Sequence, residues 1–331
     1  MRQRSAQIAL IIGVIPRNHF IGISGYDYPR WRGDFYPTDI PRRSWLAFAS
    51  RVFTSIELNG TFYSLKSPEN FARWSAESPD DFVFAIKGGR FITHNLKLRN
   101  CQRALGNFYA SGVLALGTKT GPFLWQLPTS YRFDAERIDT FIRMLPRTST
   151  EGEAVARDHD HRLRRGALLE SPATVQYRHA FEVRHPSYFH DEFYQILRAH
   201  RCAFVIADSA GTFGYAEEVT TDFVYVRLHG SQALYSRDYT DDELSMWAGQ
   251  TAGWLATGRD VYVYFDNDAH VHAPYNAMWL ETLVGDRDAG NQARRRSRRA
   301  RRTDGDEGIL RGNQHARRRR PRATKPDRRG S

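Results

Sequence analysis

A short run of chemically active side chains follows an apolar stretch near residue 57. Within seven positions it supplies a carboxylate, an amide, a hydroxyl and a phenol, from Glu57, Asn59, Thr61 and Tyr63. Ile56 and Leu58 flank Glu57, which is typical of a strand whose neighbours pack outward while the carboxylate points inward. A buried glutamate is rare unless it is paired or functional. Two interpretations follow for Glu57: a catalytic acid or base, or a structural ion pair.

Polar side chains also end most of the other predicted strands. They are Lys87, Gln126, Glu182 with Arg184, Asp208, Arg227 with His229, and Asp266 with Asn267. Residues two apart in a strand share a face, so Glu182 lies beside Arg184 and Arg227 beside His229. If these faces point inward, the set suits an anionic or hydroxyl-rich ligand, because guanidinium groups hold phosphate or carboxylate while Glu or His moves a proton.

From this set we predict three catalytic residues, namely Glu57, Glu182 and His229. The predicted ligand-binding residues are Tyr26, Trp31, Asn59, Tyr63, Lys87, His94, Gln126, Arg184, Asp208, Arg227, Asp266 and Asn267. Among them, Tyr26, Trp31 and Tyr63 would wall the pocket by stacking. The alternative is an ion network, Glu182 with Arg184 or Arg227, that merely plugs the barrel. The enzyme interpretation predicts that Glu182→Gln abolishes turnover and leaves the fold intact.

A divalent metal is a separate possibility. Oxygen and nitrogen ligands stand at successive strand ends in Glu57, Glu182, Asp208, His229 and Asp266, as in metal-dependent barrels. The chain has no compact ligand motif, so the sequence names no cofactor. It also lacks the GxSxG of a nucleophile elbow and a GxGxxG after the first strand, which argues against a serine hydrolase of that type and against dinucleotide binding.

Alternating strand and helix patterns predict the architecture that positions these groups. Apolar runs predict strands at 19–25, 55–58, 82–86, 122–127, 180–183, 202–207, 223–228 and 261–265. Helical spacing predicts helices at 41–53, from 67 onward, and at 134–145, 191–200, 240–256 and 275–283. Residues 95–118 are predicted to be a mostly helical connection, and 146–178 to be irregular. This order predicts a parallel (β/α)8 TIM-type barrel with its site at the carboxyl ends of the strands, and an open doubly wound sheet is the alternative.

The ends of the chain differ from its middle in composition. Residues 286–331 contain 17 basic and 6 acidic residues and no aromatic ones, which accounts for the net charge of +11 and leaves the body neutral. We predict a disordered Arg-rich tail that could bind polyanions such as nucleic acid through counterion release. Residues 1–18 are predicted to be an extension outside the 19–285 barrel. Because the start lacks a signal cleavage site and no apolar run reaches about 18 residues, we expect a cytoplasmic protein without membrane spans.

Several motifs resemble those of the YecE-like family, whose domain is catalogued as one of unknown function. Those motifs are Ile21–Tyr26, Tyr28–Pro29, Trp31–Gly33, Phe35–Pro37, Glu57–Tyr63, Phe82–Lys87, Ile92–His94, Phe181–Ser187, Tyr225–Gly230 and Phe265–Asp268. They run in family order over about residues 20–284. The resemblance implies a TIM-type barrel and no established reaction. Tyr26 and Tyr188 stand where the family pattern leads us to expect tryptophan.

Two functions from different classes fit these observations. The first is an enzyme of hydrolase or lyase type that acts on a phosphorylated or nucleotide-like ligand at the strand ends. Its anion clamp would be Lys87, Arg184 and Arg227. The alternative is a non-catalytic ligand- or nucleic-acid-binding barrel. Turnover that is abolished by Glu182→Gln would favour the first function. Salt-sensitive binding that is lost with residues 286–331, together with no turnover in any screen, would favour the second.

Overall fold

The computed structural model describes residues 18–230 and 237–287. Eight parallel strands close into a barrel in which each strand pairs with the next along the chain and the last pairs with the first. The strands are β1 His19–Ser24, β2 Ser55–Leu58, β3 Val83–Lys87, β4 Thr120–Gln126, β5 His179–Glu182, β6 Ala203–Asp208, β7 Phe223–Leu228 and β8 Asp260–Phe265. The predicted (β/α)8 fold is confirmed, and the open sheet is excluded.

Helices connect the strands and cover the barrel. They are α1 Trp45–Val52, α2 Gly60–Tyr63, α3 Pro68–Glu77, α4 Gln102–Ala110, α5 Ala135–Arg143, α6 Ser149–Ala156, α7 Asp191–Ala199, α8 Asp241–Ala256 and α9, residues 272–287. Each amphipathic helix buries one stripe, as α5 does with Ile138, Phe141 and Ile142. At the start of α8, Thr240 and Glu243 form the capping box that their spacing predicts.

The barrel interior changes from aromatic to charged toward the carboxyl ends of the strands. Phe223, Tyr225 and Arg227 share one face of β7 because side chains alternate along a strand. The first two pack in an inner cluster with Tyr262 and Tyr264 of β8. Arg227 therefore lies one layer above the aromatic rings, where the polar ends of the other strands meet.

One connection differs from the prediction. Residues 146–178 are not irregular throughout, because they contain α6, whose first turn is capped by Thr148 accepting a hydrogen bond from the Glu151 backbone nitrogen at 3.1 Å. The short helix α2 directly follows Asn59. Residues Phe91–Asn95 form a π-helical turn.

Both predicted chain ends fall largely outside the described residues. Of the extension 1–18 only residue 18 is described, and of the tail 286–331 only residues 286–287. Across 18–230 and 237–287, no helix is both long enough and apolar enough to cross a bilayer.

Candidate functional site

The centre of the site is a fully buried arginine, Arg227, at the carboxyl end of β7. Its guanidinium holds Glu57 of β2 through two hydrogen bonds, Nη2–Oε1 at 2.8 Å and Nε–Oε2 at 3.0 Å. Nη1 donates to Glu182 Oε2 at 2.6 Å, and Nη2 donates to Asp266 Oδ2 and to Ser24 Oγ, both at 2.9 Å. One cation therefore joins β1, β2, β5, β7 and the end of β8; we call it and its three carboxylates the arginine cluster.

Both carboxylate oxygens of Glu57 accept hydrogen bonds within this cluster. Its Oε1 accepts hydrogen bonds from Ser24 Oγ at 2.5 Å and from Arg227, and its Oε2 accepts from Tyr225 Oη at 2.7 Å and from Arg227. The carboxylate has no exposed surface. In this arrangement both carboxylate oxygens of Glu57 are occupied by donors of the barrel itself.

Glu182 and His229 are also buried in the barrel interior. Glu182 Oε1 accepts from Arg184 Nε at 2.8 Å, while its Oε2 accepts from Arg227. His229 Nε2 lies 3.3 Å from Arg227 Nη1, which can only donate, and its Nδ1 lies 2.9 Å from Asp266 Oδ2. Both ring nitrogens of His229 therefore face charged groups of the arginine cluster. Both residues are shielded from solvent.

Opposite charges set the ionisation of the cluster. Burial alone would raise the pKa of Glu182, but Arg227, Arg184, His229 and Lys87 hold this pKa well below its usual range. The pKa of Asp266 is lowered in the same way against its burial, mainly by Arg227. The lowered pKa values of Glu182 and Asp266 favour the ionised form of these two carboxylates at neutral pH.

Above the cluster lies a cavity of about 850 Å³ at the carboxyl ends of the strands. Its floor is formed by strand-end residues, among them Asn59, Lys87, Gln126, Arg184 and Asp266. Tyr26 and Tyr63 line its wall, and Tyr63 is 76% exposed, which leaves its ring accessible for stacking on a ligand. The cavity lies where (β/α)8 barrels place their sites.

Lys87 is the buried cation on the cavity floor. It ends β3, is 7% exposed, and its Nζ lies 4.7 Å from the centre of the Phe62 ring. Gly88 follows it and packs against Trp125, because a Cβ on Gly88 would lie 2.4 Å from the indole. Burial and the nearby Arg227 lower the pKa of Lys87 to about 8.

Two further titratable groups line the cavity. Burial and the charge of Asp266 raise the pKa of Asp268 to about 6. Burial, Arg90 and Lys87 lower the pKa of His94 to about 4, so His94 is neutral at pH 7. Lys87 and Asp268 thus have pKa values on either side of neutrality in one cavity, a pattern typical of proton-transfer sites.

The wall that carries His94 has an unusual backbone. After the π-helical turn Phe91–Asn95, three non-glycine residues adopt positive φ: Lys97 at 48°, Leu98 at 64° and Asn100 at 50°. Such conformations cost free energy and are enriched at functional sites, as are π-helical turns. This segment is therefore further support for a functional cavity.

Cations dominate the rim of the cavity. Lys66, Arg90 and Arg165 line it, and in the described part of the chain none of the three lies within 4.0 Å of a carboxylate oxygen. Arg73, also at the rim, lies 3.9 Å from Glu77. These charges give the rim a positive electrostatic potential.

The structure divides the predicted residues into three groups. Those lining the cavity are Tyr26, Asn59, Tyr63, Lys87, His94, Gln126, Arg184 and Asp266. The predicted catalytic residues Glu57, Glu182 and His229, together with Arg227, lie buried beneath it. The remaining three, Trp31, Asp208 and Asn267, lie outside the lining.

Each of these three has a local structural partner. Trp31 is fully buried and donates from Nε1 to the Asp268 carbonyl oxygen at 3.3 Å. Asp208 accepts from Tyr239 Oη at 3.0 Å, and Asn267 donates to Asn276 Oδ1 at 2.9 Å. Trp31 therefore supports the loop that carries Asp268 instead of walling the pocket.

Among the cavity residues that were not predicted from the sequence are Lys66, Arg90, Arg165 and Asp268. The sequence could have predicted Asp268, because it directly follows Asp266 and Asn267 at the end of the eighth predicted strand. Arg165 lies in the segment between α6 and β5, which has no periodic pattern. No local signal in that segment marks one arginine as a rim residue.

Metal binding gains no support from the side-chain arrangement. Over residues 18–230 and 237–287, no three His, Cys, Asp or Glu side chains are grouped to hold an ion. Three of the carboxylates considered as ligands, Glu57, Glu182 and Asp266, face Arg227 instead.

Replacing Asp268 by asparagine is expected to stabilise the protein at pH 8 and to change little at pH 4. The raised pKa of Asp268 means that its contribution to stability is present below about pH 4 and lost as the pH rises through about 6. Removing the charge should gain about 1 kcal/mol at pH 8, after allowance for partial exposure. Urea unfolding at both pH values measures the change. An equal gain at pH 4 would show that ionisation is not its cause.

The fold and site define a (β/α)8 barrel protein with a cationic cavity at the carboxyl ends of its strands. A family model described as "Protein of unknown function DUF72" matches residues 20–301, so the chain belongs to the DUF72 family. The resemblance seen in the motifs is thereby confirmed.

Individual relatives agree with this assignment. Over 112 residues the chain is 30% identical to the UPF0759 protein YecE of Escherichia coli (strain K12), a stretch that covers 34% of this chain and 38% of that relative. A DUF72 family protein from Thermotoga maritima MSB8 has a similar structure, with a TM-score of 0.64 and 24% identity over 81% of this chain and 99% of that one. A DUF72 family protein from Enterococcus faecalis V583 gives a TM-score of 0.62 and 16% identity, over 81% of this chain and 95% of that one. The two solved structures show the shared fold.

Proposed function

We propose that the protein is an enzyme of hydrolase or lyase type that acts on a phosphorylated or nucleotide-like ligand bound in the cavity. The observation that carries this proposal is Lys87, a buried cation on the cavity floor. In the described ranges its Nζ has no carboxylate oxygen within 4.0 Å. A buried ammonium without an ion pair is costly, and a bound anion would remove that cost.

The rim supports the same class of ligand. Lys66, Arg90 and Arg165 line the same cavity as Lys87 and add positive charge to it. Asn59 contributes a buried Oδ1 to which no donor is assigned within the described residues, and a ligand hydroxyl could donate to it. A ligand with an anionic group and neighbouring hydroxyls, such as a sugar phosphate or a nucleotide, would pair with the rim cations and donate a hydrogen bond to Asn59 Oδ1.

Proton transfer in the proposed reaction is assigned to residues that reach the cavity. The raised pKa of Asp268 lets it act as an acid near neutral pH, and the lowered pKa of Lys87 lets it act as a base. Glu57, Glu182 and His229 then serve as positioning residues, because they fix Arg227 and the strand ends. This proposal replaces the catalytic set expected from the sequence.

Removal of rim cations is expected to weaken anion binding. Arg90→Ala and Arg165→Ala should each raise the dissociation constant for pyrophosphate about fivefold, which corresponds to about 1 kcal/mol per exposed charge. Calorimetric titration of the full-length protein measures this constant. All variants keep the Arg-rich tail, so its contribution cancels in the comparison.

Arg51→Ala is the matched control for these variants. Arg51 is exposed near the end of α1, and helices of a (β/α)8 barrel run antiparallel to the strands, so this residue lies at the opposite end of the barrel. Its removal deletes the same charge and should leave the dissociation constant unchanged. Equal affinity in the rim variants and the wild type would refute the anion site.

Ligand binding without turnover is a second candidate function. It is favoured by one observation: the three residues first expected to be catalytic are saturated by ion pairs and hydrogen bonds. Turnover of a panel of sugar phosphates and nucleotides decides between the two functions. A compound that is bound but not converted, with unchanged binding in Asp268→Asn, would favour the binding protein.

A further inference from the structure

Lys87 differs in its surroundings from the other lysines that the structure describes. The chain has only five lysines, at positions 66, 87, 97, 119 and 325. Lys119 Nζ donates to the carbonyl oxygens of Ser75 and Ser78 at 2.5 and 2.8 Å, so its amine is occupied. Lys87 Nζ instead lies over the Phe62 ring at the floor of the cavity. It is the described lysine that combines burial with access to a binding cavity.

These surroundings are those of a nucleophilic amine. A lysine that attacks a carbonyl group must be neutral, and enzymes achieve this by desolvation or by a neighbouring cation. Lys87 has both, because burial and Arg227 lower its pKa to about 8. The charged groups that oppose this effect come from three other strand ends, in Glu57, Asp266 and Glu182. These three carboxylates form ion pairs with Arg227, which weakens their effect on the pKa of Lys87.

We propose that Lys87 forms an imine with the carbonyl group of a phosphorylated aldehyde or ketone bound in this cavity. The inference rests on the proposed function and narrows its substrate class. The phosphate would face the rim cations Lys66, Arg90 and Arg165, and the carbonyl carbon would face Lys87 Nζ on the floor. An imine withdraws electrons from the adjacent carbon, so this assignment selects the lyase alternative over the hydrolase.

Imine formation requires no reactant besides the Lys87 amine and the carbonyl compound. The neutral amine attacks the carbonyl carbon, a C–N bond forms, and the carbonyl electron pair moves to oxygen. Both amine protons leave with that oxygen as one water molecule, and a C=N bond remains. Asp268 lines the same cavity and would pass a proton to the departing hydroxyl. Nothing is oxidised or reduced.

Reductive trapping tests the proposal. The full-length protein is incubated with pyridoxal phosphate, a phosphorylated aldehyde, and treated with borohydride, which reduces any imine to a stable secondary amine. Mass spectrometry of the digest then measures the labelling of each lysine. At pH 7.5, Lys87 should be labelled about tenfold faster than Lys97, because burial and Arg227 favour the neutral form of the Lys87 amine. The labelling rate should rise as the pH passes through about 8.

Two variants serve as controls. Lys66→Arg keeps the rim charge and removes the other lysine of the cavity, and Lys87 should label as in the wild type. Lys87→Arg keeps the charge on the floor and should abolish the fast label. The wild-type digest alone decides the question if Lys87→Arg fails to fold. Labelling of Lys87 no faster than that of Lys97 would overturn the proposal.

Pyrophosphate separates this inference from the proposed function. Slower labelling of Lys87 in its presence supports both. If pyrophosphate binds at the rim but Lys87 stays unlabelled, imine formation is refuted and the anion site stands. If pyrophosphate does not bind while unphosphorylated pyridoxal still labels Lys87 first, the anion site is refuted and the nucleophilic lysine stands.

Discussion

Replacing Arg227 by methionine is expected to lower the free energy of unfolding by about 3–5 kcal/mol. The variant leaves Glu57, Glu182 and Asp266 close together inside the barrel without the cation to which all three bind. Methionine fills much of the space but donates no hydrogen bond, so the loss reflects uncompensated charge more than a cavity. Urea denaturation of the full-length protein at pH 7 measures the change.

A double-mutant cycle tests the cause of this loss. Glu57→Gln should be costly in the wild type, because it removes a carboxylate that holds two arginine nitrogens. In the Arg227→Met background the same change should cost little or even stabilise, since it then removes an unpaired buried charge. Equal costs in both backgrounds would mean that the two residues act independently, contrary to the geometry.

Glu182→Gln is expected to lower the free energy of unfolding by about 3 kcal/mol, instead of leaving the fold intact as the enzyme interpretation of the sequence predicted. The carboxylate is 1% exposed and accepts hydrogen bonds from both Arg184 and Arg227. The amide offers one acceptor oxygen, and its NH2 group faces a donor. Loss of turnover in this variant would therefore assign no catalytic role unless the folded fraction is measured as well.

The pH dependence of this loss has a definite sign. The folded-state pKa of Glu182 lies well below its ordinary value, so its contribution to stability is fully present above about pH 4 and is lost as the pH falls further. The deficit of Glu182→Gln should thus be largest near pH 7 and shrink under acid conditions. Glu170→Gln, at an exposed position, is the control and should cost less than about 0.5 kcal/mol at either pH. A deficit independent of pH would point to packing instead of charge.

The sequence was sufficient for the barrel and for the direction of several side chains. Alternation along β2 and β7 predicted that Glu57 would point inward and that Arg227 would share a face with His229. The depth of each group depends on the register between strands, such as Ser24 opposite Glu57 and Gln126 opposite Glu182. Register is a property of the assembled barrel. The sequence therefore could not separate the groups that line the cavity from those sealed beneath it.

The missed helix α6 has a different physical cause. Its buried positions are Ser149, Gly152 and Ala156, small residues that produce no apolar periodicity. The helix packs closely, since a Cβ on Gly152 would lie 2.9 Å from Tyr177. Close packing of small side chains leaves no hydrophobic pattern in the sequence. The rim residue Arg165 lies after this helix in a segment without a periodic pattern, so no local signal predicted it.

The arginine cluster also constrains how the barrel can assemble. Arg227 is separated along the chain by 170 residues from Glu57, by 45 from Glu182 and by 39 from Asp266. A fragment that contains only the first four strands would bury Glu57 without its cation, and one with the last four would bury Arg227 without Glu57. The half with the last four strands would still pair Arg227 with Glu182 and Asp266, so we expect the first half, in which Glu57 lacks its cation, to be the less stable of the two. A barrel closed in this way should unfold as one cooperative unit, and its chain should not tolerate being divided into independently folding halves.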